Sequence, residues 1–302
     1  MSDIPVGGAL RLLIHVICIT LVSMPANAQA TDNRNEITRF IPGIIPVKSQ
    51  NWEISRDPVS GYVYFANSAG LIEYNGITAR NYPAPYREGV RSVYVNSDGV
   101  IFTGSFEDFG FWRKDRTGVL SYTSLATSVE VFRNDEIWNI FEIGRILYFQ
   151  SFTSVYVYDY NGVRRITAPS PMLFFFRVGD IFIAQAINEG LYRFDGNRFS
   201  FIPGSEFLAG LKIHALIYFG QREMWVCTAN NGIFLFDGSN FTPMDSEVSR
   251  YLKEATCNAG LATDDSLIVF GTILRGLVIC DRSGRIIQTY DYSNGLNNNT
   301  VL

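Results

Sequence analysis

Apolar residues in this chain come in short blocks, not at helical spacing. The blocks pair up: "YVYFANSAGLIEYNG" from Tyr62, "VIFTGSFEDFGFWRKDRTG" from Val100, "ILYFQSFTSVYVYDYNG" from Ile146, "DIFIAQAINEGLYRFDGNRF" from Asp180, "EMWVCTANNGIFLFDGSNF" from Glu223 and "SLIVFGTILRGLVICDRSG" from Ser266. Each reads as an apolar strand ending in small or polar residues, a short loop, a second strand, and an Asn/Asp/Ser-Gly turn or its near equivalent. A further apolar segment precedes each pair, such as "VRSVYVN", "EIWNIFEI", "MLFFFRV" or "HALIYFG", and a short aromatic-led strand follows, as in "NRFSFIP" and "SNFTPM". Each unit is therefore predicted to be an antiparallel meander of four strands, A to D. The best helical candidate, "DSEVSRYLKEA" (245–255), predicts about two turns between units.

The closing glycines, Gly76, Gly118, Gly162, Gly196, Gly238 and Gly284, recur at spacings of 34 to 46 residues. That period predicts an all-β fold, a β-propeller of four-stranded antiparallel blades. Six blades are expected, with "YDYSNGLNNNTVL" (290–302) linking the sixth to the start of a truncated seventh. Sheets packed face to face bury both sides, so strands read as continuous apolar runs. The 23 Phe and 16 Tyr would fill the wedge between splayed sheets. Ala66, Gly104 and Gly271, near the end of strand B, mark where sheets approach most closely, and Trp225 reads as core.

Composition narrows the class. The chain has 302 residues, 47% hydrophobic and 18% charged, with a net charge of -4 and no basic stripe. This argues against disorder and against nucleic-acid binding by this segment. At the N-terminus, Arg11 precedes the apolar run 12–24, and "PANAQA" follows. The run is short for a bilayer span, and Ala26 and Ala28 are the small residues a signal peptidase needs. Residues 1–28 are predicted to be a signal peptide cut after Ala28, an uncleaved anchor being the alternative. Bulky Ile17 before Cys18 argues against a lipoprotein. Residues 29–40 read as a linker and 41–302 as the propeller. Export leaves Cys227, Cys257 and Cys280, read as buried thiols, with a Cys257–Cys280 pair as the alternative.

"GLYRFDGNRF" (190–199), "EMWVCTANNGIFLFDGSNF" and the terminal "YDYSNGLNNNTVL" resemble two-component-regulator propeller repeats, whose pattern runs Gly-Leu-x-x-Tyr-Asp-Gly and then Gly-Leu-x-x-Asn into the next blade. The likeness covers essentially the whole mature chain. It is looser at 146–162, where the loop glycine is missing, and at 266–284, where Asp-Arg-Ser-Gly replaces Asp-Gly. "NWEISRDPVSGYVYFANSAGLIEYNG" and "GSFEDFGFW" (104–112) resemble a subgroup of such regulators. The resemblance implies the periplasmic sensor region of a membrane-spanning transcriptional regulator, commonly reading a carbohydrate. A triple-tyrosine domain, a transmembrane helix and a histidine kinase or helix-turn-helix output would follow. DNA and membrane contact would belong to those downstream parts, and the full-length protein could pair as a homodimer.

Catalytic signals are sparse. His214 is the one histidine after the signal and reads as a satisfied core residue. Glu107 beside Asp108 could suggest paired carboxylates of a propeller glycosidase, but neighbouring residues on a strand or loop point apart. An exported propeller hydrolase or lyase is the alternative reading. No cofactor and no metal are expected. B–C loops and D–A connections share one end of each blade, and these are the chemically varied segments. A small-molecule or oligosaccharide ligand is expected there, met by Asn67, Arg91, Glu107, Asp108, Asn188, Glu189, Asn230 and Arg275, beside aromatics such as Phe106 or Phe152.

Overall fold

A computed structural model describes residues 50–84, 89–220, 223–263, 265–296 and 298–301. The predicted signal peptide and the 29–40 linker lie outside them. The described residues contain six four-stranded antiparallel sheets, each with its strands in sequence order. The first is built from Asn51–Arg56, Val63–Asn67, Gly70–Tyr74 and Ala79–Tyr82; the others span 92–124, 139–167, 172–201, 213–243 and 257–290. They fall into two compact units, one ending at Ile202 and the other beginning at Pro203.

The turn between strands C and D follows directly from its sequence. In the second sheet, Asp115 Oδ1 accepts from the amides of Thr117 and Val119 at 2.8 and 3.0 Å. Asp159, Asp195, Asp237 and Asp281 repeat the device, and Asn75 performs it in the first sheet. A short polar side chain caps its own turn. Gly196, with φ +93, supplies the left-handed residue that the turn after Asp195 requires.

Within each unit, B–C loops are joined to the segment that follows. In the first unit, Val90 N donates to Asn67 O (3.0 Å), Ile137 N to Ser105 O (3.1 Å) and Met172 N to Phe152 O (2.7 Å). In the second unit, Cys257 N donates to Ala229 O (2.8 Å) and Val301 N to Thr272 O (2.9 Å). Val301 thus holds, at the sixth sheet, the place that Val90 holds at the first. The small residues are needed here: a Cβ on Gly104 would collide with Ile137 Cγ2 and Ser92 Oγ, and one on Gly271 would come 2.8 Å from Val301 Cγ1.

Within each unit, aromatic layers fill the space between consecutive sheets. In the first unit, Phe109 packs on Phe149 and Tyr156 at 4.7 and 4.9 Å between centroids, and all three are fully buried. Each such ring contributes roughly 1.5–3 kcal/mol by burial. In the second unit, Trp225 joins Phe270 and the three cysteines in one core. The cysteines are free and buried, so the Cys257–Cys280 pairing is not formed. Burial pushes the Cys257 and Cys280 thiols up to about 12. The predicted helix is Glu247–Ala255, capped where Ser249 N donates to Ser246 Oγ and burying Val248, Leu252 and Ala255. Among the described residues no helix is long and apolar enough to cross a membrane.

Candidate functional site

The first strands of neighbouring sheets run side by side in the first unit and are stitched by side chains. Val93 N donates to Glu53 Oε2 and Val95 N to Ser55 Oγ, at 2.8 and 3.0 Å. Ser92 Oγ in turn donates to Ile137 O at 3.1 Å. At the loop end of this seam stands Arg91. Its guanidinium carbon lies 3.5 Å from the centroid of Trp52 and 4.0 Å from that of Trp138, so the cation is held between two indoles contributed by the sheets on either side. Nη2 donates to Glu136 Oε2 at 3.1 Å. Nε is 3.0 Å from Oε1 but off the N–H line, an ion-pair contact without a directed bond. Trp52 Nε1 donates to Ser68 Oγ (3.1 Å), and Trp138 meets Phe152 edge-on at 5.1 Å. Trp138 Nε1 is buried without a hydrogen-bond partner. Each cation–π contact is worth about 0.5–2 kcal/mol.

The three stacked residues occupy one register position. Trp52 is the extra residue of a β-bulge, since Asn51 pairs with Asn67 and Glu53 with Ala66. Arg91 and Trp138 immediately precede Ser92 and Asn139, the partners of Gly104 and Gln150, which are equivalent to Ala66. Leu173, His214 and Asn258 are the bulge residues of the fourth, fifth and sixth sheets. A bulge frees its side chain from the in–out alternation of the strand and re-aims it.

Of the predicted site residues, Arg91 pairs with Glu136, and Glu107 is bonded to the neighbouring Asn134 and Asp135. Glu107 N donates to Asp135 O, its carboxylate accepts from Asn134 N, and Phe106 bridges Glu136. Asp135 is buried and organises the next B–C loop, accepting from Ser151 Oγ, Thr153 Oγ1 and Phe152 N. Two residues are corrected. Asn67 is buried, donating to Gln50 O and Asn51 Oδ1 and accepting from Ala69 N. It caps its loop, as Ser151, Thr228 and Thr272 do at the equivalent places. Asp108 is buried and accepts from Tyr122 OH and Ser124 Oγ, tying strand C to strand D. Burial pushes its carboxyl upward against those bonds. Glu107 is exposed with φ +54, so the adjacent carboxylates do point apart.

Asn188 is exposed, and Glu189 accepts from Tyr192 OH. In the second unit Asn230 is exposed, while Arg275 pairs with Glu254 at 2.8 Å and lies 5.6 Å from the Tyr251 ring. His214 Nδ1 meets Asn258 O at 3.1 Å, and burial lowers its pKa. Burial, eased by the Val93 amide, pushes Glu53 up to about 8; no cation pairs with it among the described residues. Sequence reasoning missed Trp52, Trp138 and Glu136. Aligning the repeats on "VRS" (90–92) and "IWN" (137–139) would have exposed the shared position.

No protein-family model and no curated protein matches the chain. Solved structures do resemble it. A streptogramin B lyase matches with a TM-score of 0.58 and 15% identity over 82% of this chain and 86% of its own. The extracellular domain of a hybrid two-component system from B. thetaiotaomicron matches at 0.60 and 15%, over 83% of this chain and 34% of its own. A second such domain from B. thetaiotaomicron matches at 0.57 and 14%, over 87% and 38%. The chain thus spans little more than a third of those two domains. At these identities the likeness shows the fold: an all-β propeller with six four-stranded blades.

Proposed function

We propose that this chain is the ligand-sensing propeller of an exported, membrane-linked signalling protein of the two-component type, and that it reads a carbohydrate or a breakdown product of one. One observation carries the reading: most of the chain superimposes on two extracellular domains of hybrid two-component systems. The likeness of "GLYRFDGNRF" and its fellows to regulator propeller repeats agrees with it. In this proposal residues 1–28 direct export, 29–40 lead into the propeller, and no residue of the segment touches nucleic acid. Signal passes to parts beyond the propeller, which hold the membrane and DNA contacts, and the full-length protein works as a homodimer. The ligand lies against the Trp52–Arg91–Trp138 cluster, with Glu107 and Glu136 at its border. Asn188, Glu189, Asn230 and Arg275 are proposed as further contacts on the loop ends of their own sheets.

A second reading, an exported propeller enzyme, draws on the likeness to streptogramin B lyase. The divergence of Glu107 and Asp108 speaks against paired-carboxylate hydrolysis at that loop. The test is a melting-temperature screen against oligosaccharides with chromatography of each mixture. Ligand at about 100 times its Kd adds about 2.7 kcal/mol and raises Tm. Sensing predicts a rise with the sugar recovered intact, and the rise is lost in Arg91→Ala. Turnover of the sugar, or no shift with any of them, refutes it.

A further inference from the structure

The Arg91 cluster also carries information about the charge of what it meets. Trp52 keeps 40% of its surface exposed although Arg91 covers one ring face. A large flat apolar ring left open beside a polar pair is an arrangement for a partner with both an apolar face and hydroxyls. The charges nearby are unbalanced. Arg91 is already matched by Glu136, its guanidinium enclosed by indoles and only 15% exposed. Around the pair, Glu107 and Asp135 are held by backbone amides and pair with no cation among the described residues, while Glu53, pushed up to about 8 by burial, keeps its proton near neutrality and adds little charge; Arg133 is an exposed cation on the same loop. An anionic ligand would have to displace Glu136 from Arg91 or approach an excess of carboxylates, and either is costly.

We infer that the site takes an uncharged sugar ring, stacked on the open side of Trp52 with its hydroxyls on Glu136 and the rim of Arg91, and that it discriminates against uronic and sulfated sugars. This rests on the sensing reading above and narrows it. Trp138, its Nε1 buried and its ring 4.0 Å from the guanidinium carbon, forms the inner wall that fixes the cation.

The experiment uses the protein with two sets of probes: neutral gluco-, manno- and xylo-oligosaccharides, and oligogalacturonates with chondroitin sulfate oligosaccharides. Binding is read by calorimetry and by tryptophan fluorescence. Two of the four tryptophans belong to this cluster, while Trp112 and Trp225 are buried. At least one neutral sugar should bind about tenfold or more tighter than any acidic one. Trp52→Ala should weaken it about tenfold and Trp52→Phe by no more than about threefold, since the stacking surface is retained. Glu136→Gln should weaken the neutral sugar and strengthen the acidic ones. Tighter binding of acidic sugars, or neutral binding indifferent to Trp52→Ala, overturns the inference while leaving sugar sensing intact. Failure of both probe sets to bind removes the sensing reading and the inference with it.

Discussion

The two ends of each sheet are built on different principles. At the C–D end, an Asp or Asn closes a turn by binding amides two to four residues ahead. Nothing else in the chain has to be in place. At the loop end of the first unit, Trp52, Arg91, Glu136 and Trp138 are drawn from three sheets and meet only once those sheets have packed. Local geometry repeats because local chemistry repeats. The assembled end is where repeats can differ, and there the equivalent residues are Trp, Arg, Trp and Leu in succession.

The largest effect should come from the junction that lets sheets meet. Gly104→Val places a branched side chain where a Cβ alone already collides with the Ile137 and Ser92 side chains, including the Cβ of Ile137, which cannot swing away. A loss of at least about 3 kcal/mol is expected in urea denaturation. If this variant melts like the parent, the loop end is not closely packed and the contrast fails. Next comes Arg91→Ala, which removes both ring contacts and strands a partly buried Glu136; about 2–4 kcal/mol is expected. Arg91→Lys should recover part of this, because an ammonium keeps the charge and loses the planar stack.

Glu53→Gln sharpens the comparison through pH. The carboxyl binds its proton more tightly in the fold than the ordinary value of 4.5, being pushed up to about 8. Between those values the native state holds more protons than the unfolded chain, so stability falls as pH rises and the loss is complete above about 8. The glutamine variant lacks that slope. It should be more stable than the parent at pH 8.5 by about 1–3 kcal/mol and indistinguishable near pH 4.5, as read from denaturation at both values. The smallest effect belongs to the turn end. Asp115→Ala should move Tm by no more than about 2 °C, because its bonds are local and exposed. The hydroxyl of Thr117 and the amides that follow hold this carboxyl below its ordinary value, and Asp195 and Asp237 are lowered chiefly by the amides of their turns. Their contribution is present above about pH 4 and is lost as pH falls through their lowered values.

This division explains what could be read beforehand. The strand pairs, the Asp-Gly turns and the helix near 247–255 are specified by neighbours in sequence, so the sheets were legible from pattern alone. The small residue at the end of strand B was legible too, because its role follows from packing and shows as Gly104 or Gly271. The site was only half legible. Arg91 stood out as a charge opening a strand. Trp52 and Trp138 did not stand out, since their pairing with Arg91 depends on a bulge at Trp52 and on two interfaces between sheets. Asn67 and Asp108 misled for the opposite reason: loop polarity suggested a ligand, and burial had already committed both to the scaffold.

The bulge at the head of strand A has a consequence for how such a molecule can change. A side chain released from the pleat is outside the in–out alternation of its strand, so its partners are set by what the adjoining sheets present. Trp52 sits at such a bulge, and Arg91 and Trp138 hold the equivalent place at the heads of their strands, like characters in a line of type. Duplicating a blade adds a character, and a single codon change rewrites one. Change at this one register position can therefore vary the loop end blade by blade, at a cost in stability set by the partners each residue has, as Arg91 has Trp52, Trp138 and Glu136.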